Sequence, residues 1–340
     1  MEDDFPAPAA RKLLEKIGLA PAKSESSRLA GGRNNRVWRL ETETGPVLLK
    51  QYFREGAWDR LAAESRFLKF CESRGLSRVP RLLAEDGENG LALHSWLAGK
   101  RPDPDGIGRD DVGRAAAFLG ELAVASRQDQ LRRTAPARDA CLDFEDFFRS
   151  PRERLADLES ALKESPVSTR RREALEFLRN KLRPAHERAR QAVLASPGKE
   201  ESRRFFLSQG FILSPSDFGF HNVLRLLDGG LGFVDFEYAG LDSPAKAIGD
   251  FVCQPDFPPP PGALGVLAMA VGRDAESGRE LAGLVCRLLP LFRIKFCCII
   301  LNDFKKLDDR RRNFARAEVR RERLDAQLRK AQDYFGRFHQ

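Results

Sequence analysis

The sequence predicts an α+β chain in two parts, a small antiparallel sheet carrying one helix and a larger, mainly helical region. Three observations carry this. Between Ser27 and Phe53, β-branched, aromatic and leucine positions are punctuated by Gly31, Gly32, Gly45 and Pro46, which reads as three strands and two turns. From Trp58 to Arg74 the spacing becomes helical through Leu61, Phe67, Leu68 and Cys71 until Gly75 stops it, and RLLAEDGENGLALHSWL then returns to two strands about an Asp-Gly/Asn-Gly turn. Beyond the Gly- and Pro-bearing connector at 98–106, helical periods dominate. At 340 residues the chain is long enough for two lobes, each with its own core.

In order, residues 1–24 carry an amphipathic helix (Ala9, Leu13, Leu14, Ile17) that ends near Gly18 and Pro21. Residues 25–97 form the five-stranded N-lobe, and 98–340 the C-lobe. Within the C-lobe, residues 109–126 form one helix on Val112, Ala116, Leu119 and Leu122. Helical stretches between Phe144 and Ala195 are broken at Pro151, Pro166 and Pro184, as in a helical insertion over about 141–200. Two short strands flank the segments SPSDFGFHNVL and LGFVDFEYAG, and helices follow the break at Pro258–Pro261. The last, over about 303–335, is basic.

Composition narrows the function. Hydrophobic residues at 42% and charged ones at 32% exclude a disordered or fibrous chain. The net charge of +8 is spread among interleaved acids, and in the basic C-terminal helix Glu318, Glu322, Asp325 and Asp333 sit among the arginines while Phe314, Val319, Leu324 and Leu328 make an apolar stripe. That pattern reads as a helix docked on the C-lobe, with no nucleic acid expected as a partner. Six cysteines without a C-x-x-C point to a reducing compartment, and four histidines without a His/Cys cluster give no zinc site. The acidic N-terminus lacks a signal-peptide core and no stretch reaches the ~18 apolar residues of a membrane span, so a cytoplasmic protein is expected.

The chemistry-bearing residues are spread along the chain. Gly31 and Gly32 lie between strands, where backbone N–H groups can approach phosphate oxygens; alone, the pair is also an ordinary hairpin turn. Lys50 closes the apolar run PVLLK and needs an anionic partner or a path to water, and Glu64 in the next helix can supply the carboxylate. A lysine held by a glutamate and directed at phosphates is a kinase arrangement. Phosphoryl transfer also needs a carboxylate for the acceptor hydroxyl and oxygen ligands for Mg²⁺. Asp217 suits the first task; the amide oxygen of Asn222 and the carboxylate of Asp235, after the strand LGFV, suit the second. A polar Asx turn would explain Asp217 or Asn222, but not an acid between Val234 and Phe236.

These segments, in this order over residues 25–305, resemble the aminoglycoside phosphotransferase and choline kinase-like family, small-molecule kinases with a bilobed protein-kinase-like fold. GGRNNRVWRL is similar to the family's glycine-rich hairpin, with its asparagine at Asn35, and LHSWLAG, holding His94 and Trp96, to the hinge whose backbone contacts adenine. The resemblance implies ATP and Mg²⁺ as cofactors, Asp217 as base, Asn222 and Asp235 on the metal, Lys50 on the nucleotide phosphates with Glu64 supporting it, and a small-molecule hydroxyl as acceptor: a sugar, an amino alcohol or an aminoglycoside-like compound. Pro215-Ser216 stands where the family has His-Gly, and Gly219 where it has a histidine, with His221 instead just before Asn222. These departures leave a catalytically silent nucleotide-binding protein as the alternative. Lys246-Ala247 is a third departure, with Asp250 one turn on, and Asp242 or Ser243 is expected to cap that helix.

Overall fold

Strict alternation builds the first sheet. Strands β1 (Pro21–Arg28), β2 (Arg36–Thr42), β3 (Gly45–Gln51), β4 (Leu82–Asp86) and β5 (Leu91–Ser95) pair antiparallel in the order β1-β2-β3-β5-β4. Trp38, Leu49 and Leu93 turn to one face and are fully buried against Leu13 of helix α1 (Ala7–Lys16). Each buried side chain of this kind contributes about 2–3 kcal/mol. Period two then sends Lys50 to the opposite face, beside its strand neighbour Ala92 and towards helix α2 (Arg60–Ser73), whose Leu61 packs there. Helix α2 starts at Asp59, which caps the amide of Ala62 at 2.9 Å.

The computed structural model describes residues 5–29, 34–128, 131, 134–164, 168–196, 198–306, 310, 314 and 320–338. The chain divides into two units, one of Met1–Arg101, Val223–Tyr238 and Arg310–Ala317, the other of Pro102–Asn222, Ala239–Asp309 and Glu318–Gln340. The first unit also holds a three-stranded sheet of β6 (Gly99–Lys100), β8 (Val223–Leu226) and β9 (Leu231–Phe233). Phe314, expected on one stripe with Leu324 and Leu328, instead lies in this unit, its ring 5.6 Å from that of Phe53 and 4.2 Å beneath the Arg36 guanidinium. Val319, of the same expected stripe, lies outside the described residues.

The second unit is helical: α3 (Arg109–Gln128), α4 (Asp146–Lys163), α5 (Thr169–Phe177), α6 (Arg183–Leu194), α7 (Lys199–Gln209), α8 (Pro244–Val252), α9 (Ala263–Val271), α10 (Ala275–Ile300) and α11 (Arg320–Gly336). Two of the expected proline breaks do not occur. Pro151 lies inside α4, buried on the stripe of Phe147, Phe148, Leu155, Leu158 and Leu162, whose packing outweighs one missing backbone hydrogen bond. Pro184 follows a π-helical turn at Leu178–Leu182 that joins α5 to α6, and the wider turn accommodates the residue without an N–H. Pro166 lies outside the described residues.

Helix α10 is the spine of this unit and touches α4, α8, α9 and α11. Its Phe292 ring lies so close to α8 that a Cβ on Gly249 would collide with it. Strands β7 (Ile212–Ser214) and β10 (Gly240–Asp242) pair antiparallel beside the helices. Ser243 is the N-cap of α8, accepting from the amides of Ala245 (3.1 Å) and Lys246 (3.4 Å), while Asp242 is buried in an ion pair. Among the described residues, no helix is long and apolar enough to cross a membrane.

Candidate active site

In the first unit, β3 delivers Lys50 and α2 delivers Glu64. Lys50 Nζ lies 2.6 Å from Glu64 Oε2 and 2.6 Å from Asp235 Oδ1. Burial alone would lower the lysine, but Asp235, Glu64 and Glu237 together outweigh it and hold its pKa above the ordinary value. Glu64 is itself oriented: Tyr52 OH donates to Oε2 at 2.8 Å and the Phe236 amide to Oε1 at 3.3 Å. His94 Nε2 lies 3.2 Å from the Tyr52 hydroxyl, and burial, with the nearby Lys50 ammonium, drives its pKa down to about 3. The His94 side chain is thus neutral and packs behind the ion pair.

Asp235 follows β9 with φ of +69°, in the left-handed region that non-glycine residues adopt at a cost of order 1–3 kcal/mol. Its neighbours impose this. Phe236 stacks on Phe67 with ring centroids 4.3 Å apart, and Glu237 is buried, accepting from Asn35 Nδ2 at 2.7 Å and from Asn34 Nδ2, with Arg60 Nε 3.3 Å away. Trp58 Nε1 donates to the Glu237 carbonyl at 2.7 Å. With Phe236 and Glu237 anchored after it, Asp235 turns outward, its side chain 36% exposed.

The second unit holds the loop after β7. Ser216 has φ of +65°, and its amide donates to Ser214 Oγ at 3.0 Å. Phe218 and Phe220 answer why aromatics alternate with polar groups here. Both are buried, with rings 5.2 and 5.0 Å from that of Phe251 in α8, so they pin the loop while Asp217, His221 and Asn222 stay partly exposed. Asn222 closes the loop, its Nδ2 donating to the Asp217 carbonyl at 3.0 Å and its amide to the Gly219 carbonyl at 3.0 Å. Asp217 is 41% exposed at the side chain, with Oδ1 3.1 Å from His221 Nε2.

Each unit holds one side chain of a type that a hard divalent cation takes. In the second, committing the Asn222 amide nitrogen to the backbone leaves its Oδ1 as a neutral oxygen. In the first, Asp235 offers an exposed carboxylate. Asn35, expected near the nucleotide, bridges Glu237 and the Phe53 amide, which donates to its Oδ1 at 3.1 Å. Trp96 carries the Arg39 guanidinium 4.9 Å above its ring. Gly31 and Gly32 lie outside the described residues.

Sequence reasoning passed over Glu237, Tyr52 and Arg60. The signal for Glu237 was present, because period two in VDFEYAG sets it beside Asp235; for Tyr52, two residues past Lys50, the same rule applies.

The family model of the phosphotransferase enzyme family matches residues 25–281. No curated protein sequence matches the chain. Among solved structures, a choline kinase from Cryptosporidium parvum Iowa II aligns over 97% of both chains at 11% identity and a TM-score of 0.64. A choline/ethanolamine kinase family protein from Mesorhizobium loti aligns over 97% of this chain and 95% of its own at 18% identity and a TM-score of 0.59. A macrolide 2'-phosphotransferase from Brachybacterium faecium aligns over 94% and 97% at 17% identity and a TM-score of 0.55. At these identities the likeness is one of fold, and the fold is the α+β, protein-kinase-like one expected.

Proposed function

This chain belongs to the phosphotransferase enzyme family, and we propose that it is a small-molecule kinase that moves the γ-phosphoryl group of ATP to a hydroxyl of a sugar, an amino alcohol or an aminoglycoside-like acceptor. The observation that carries this reading is the buried Lys50, held between Glu64 and the outward-turned Asp235. Nothing in a purely structural sheet requires a lysine paired to two acids, one of them strained and exposed.

Lys50 orients the nucleotide phosphates, and Glu64, fixed by Tyr52 and the Phe236 amide, keeps the ammonium from swinging away. Asp217 accepts the proton of the acceptor hydroxyl as the oxygen attacks phosphorus. Asp235 and Asn222 are the residues that would hold Mg²⁺, which when bound neutralises charge on the triphosphate. The relatives named choline or ethanolamine kinase support an amino alcohol among the acceptors. A cytoplasmic location belongs to the same reading, since the proposed donor is ATP.

The test is incubation with Mg-ATP and a panel of sugars, amino alcohols and aminoglycosides, read by mass spectrometry for the gain of one phosphate. Asp217→Asn is expected to lower kcat by about 10²–10⁴-fold while Mg-ATP still raises the melting temperature. Equal turnover in wild type and Asp217→Asn would remove Asp217 from the mechanism.

A further inference from the structure

We infer that Glu237 is a positioning residue, a buried clasp that ties Asn34 and Asn35, the residues that lead into β2, to the strand end that carries Asp235. The inference rests on reading Asp235 as a magnesium ligand. Glu237 is 1% exposed. Its Oε1 accepts from Asn34 Nδ2, its Oε2 from Asn35 Nδ2 at 2.7 Å and its carbonyl from Trp58 Nε1 at 2.7 Å, while Arg60 Nε lies 3.3 Å from Oε2 as the counter-charge.

These contacts close into a ring. Asn35 Oδ1 accepts from the Phe53 amide at 3.1 Å and Arg60 Nη1 donates to the Phe53 carbonyl at 3.0 Å, so the two side chains that hold the Glu237 carboxylate also hold both backbone polar groups of a residue just past Lys50. A buried ion pair is weak evidence for stability, because taking two charges out of water offsets most of what their attraction returns. Position is the better guide to its role. One end of the ring lies two residues from Asp235, whose φ of +69° persists only where neighbouring contacts over-determine it. The other end reaches the start of β2, the chain after β3 and the first turn of α2, so Asp235 is set in the same frame as Lys50 of β3 and Glu64 of α2. Partners of this kind orient a ligating group and so tune its affinity for a metal.

The experiment is calorimetric titration without an acceptor, which reads Kd for ATP with excess Mg²⁺ and Kd for ATP with a chelator. It compares wild type, Asn34→Ala, Glu237→Gln, Asn35→Asp and the double variant Asn35→Asp/Glu237→Gln. Asn35→Asp sets two carboxylates against each other, and adding Glu237→Gln restores one donor opposite one acceptor with the charge of the pair unchanged. Glu237→Gln and Asn35→Asp are each expected to weaken Mg-ATP binding by roughly 10–100-fold, and binding of metal-free ATP by less than about threefold. The double variant should return to within about threefold of wild type, because the two changes act on one contact. Asn34→Ala removes a single bond at a half-buried side chain and should show the same split at about tenfold, which keeps the test open if Asn35→Asp does not fold.

A clasp that served the fold alone would lower the urea midpoint of Glu237→Gln and weaken both forms of ATP equally, and that result overturns the inference. So does a double variant that binds Mg-ATP no better than Asn35→Asp, and so does Mg-ATP binding unchanged in Glu237→Gln and Asn34→Ala. If Asp235→Asn still binds ATP more tightly with Mg²⁺ than without it, the reading of Asp235 as a metal ligand falls instead.

Discussion

Each unit buries a cluster of opposite charges, and the two are built to opposite ends. In the second unit Lys246, only 2% exposed, lies 2.7 Å from Asp242 and 3.1 Å from Asp250, and Lys295 of α10 bonds the other oxygen of Asp250. Asp242 Oδ1 also accepts from the amides of Cys141 (2.9 Å) and Ser243 (2.8 Å). Two cations face two carboxylates, and water is excluded. Burial alone would lower Lys246, but Asp242 and Asp250 keep its pKa above the ordinary value. This cluster fastens β10 and α8 to α10. In the first unit three carboxylates (Glu64, Asp235, Glu237) face two cations (Lys50, Arg60), and His94, held neutral, adds no charge. Burial and the neighbouring Asp235 push the Glu237 carboxyl up. The surplus of one negative charge ends at the exposed Asp235. A neutral, closed cluster holds a fold together, whereas an open one with a carboxylate to spare suits the cation site we propose.

The sharpest way to break this contrast is to remove the lysine from each. Lys246→Met leaves Asp242 and Asp250 buried beside a single remaining cation, and is expected to cost about 3–5 kcal/mol of stability in urea unfolding. Lys50→Met leaves Glu64 bonded to Tyr52 and the Phe236 amide and lets Asp235 turn to water, so its stability cost should be clearly smaller. Turnover should instead fall by roughly 10²–10³-fold. If the two variants unfold at the same denaturant concentration, the distinction between the clusters is wrong.

A smaller effect of the same kind separates the acids. Asp235→Asn removes the surplus charge and keeps a side chain that tolerates the left-handed backbone, so the nucleotide-free protein should change in stability by less than about 1 kcal/mol. The rise in melting temperature that Mg-ATP gives over ATP with a chelator should disappear. Asp250→Asn should do the reverse, destabilising the protein while preserving that rise. A Mg-dependent shift intact in Asp235→Asn would exclude it as a metal ligand.

The open cluster was easier to read in the sequence than the closed one. Lys50 ends an apolar strand and Asp235 interrupts another, and a charge in such a place announces a partner. Asp242, Lys246 and Asp250 carried an equally plain signal, four-residue steps from the end of β10 along α8, and Lys295 interrupts the apolar run of α10 together with Arg293. What no local pattern contains is that α10 passes α8 at Gly249 closely enough to join them. The proline breaks failed for a related reason: local rules price the missing hydrogen bond at Pro151, but not the buried stripe that offsets it. At Asp217 the acid was plain, yet that the Asn222 side chain folds back onto the Asp217 carbonyl depends on the path of the loop, which spacing alone does not give.

The subtlest predicted effect, read only as a difference between two pH values, concerns the neutral histidine behind the open cluster. His94 has a folded-state pKa of about 3, far below its ordinary value of 6.5. Above pH 6.5 both folded and unfolded chains hold the ring neutral, so it contributes no pH dependence. As the pH falls below 6.5 the unfolded chain takes up a proton that the folded one refuses, and stability drops until the folded ring also titrates near pH 3. Between pH 7 and pH 5.5 this linkage costs about 1.3 kcal/mol. His94→Gln has no proton to take up, and its unfolding free energy should fall over that interval by correspondingly less than that of wild type. The comparison is made by urea unfolding at the two pH values, so that any constant cost of the substitution cancels. Equal losses in the two proteins would mean that the folded ring takes up its proton over the same interval as the unfolded chain. The first cluster would then hold as many cations as carboxylates, like the second, and the contrast on which its reading as a cation site depends would be lost.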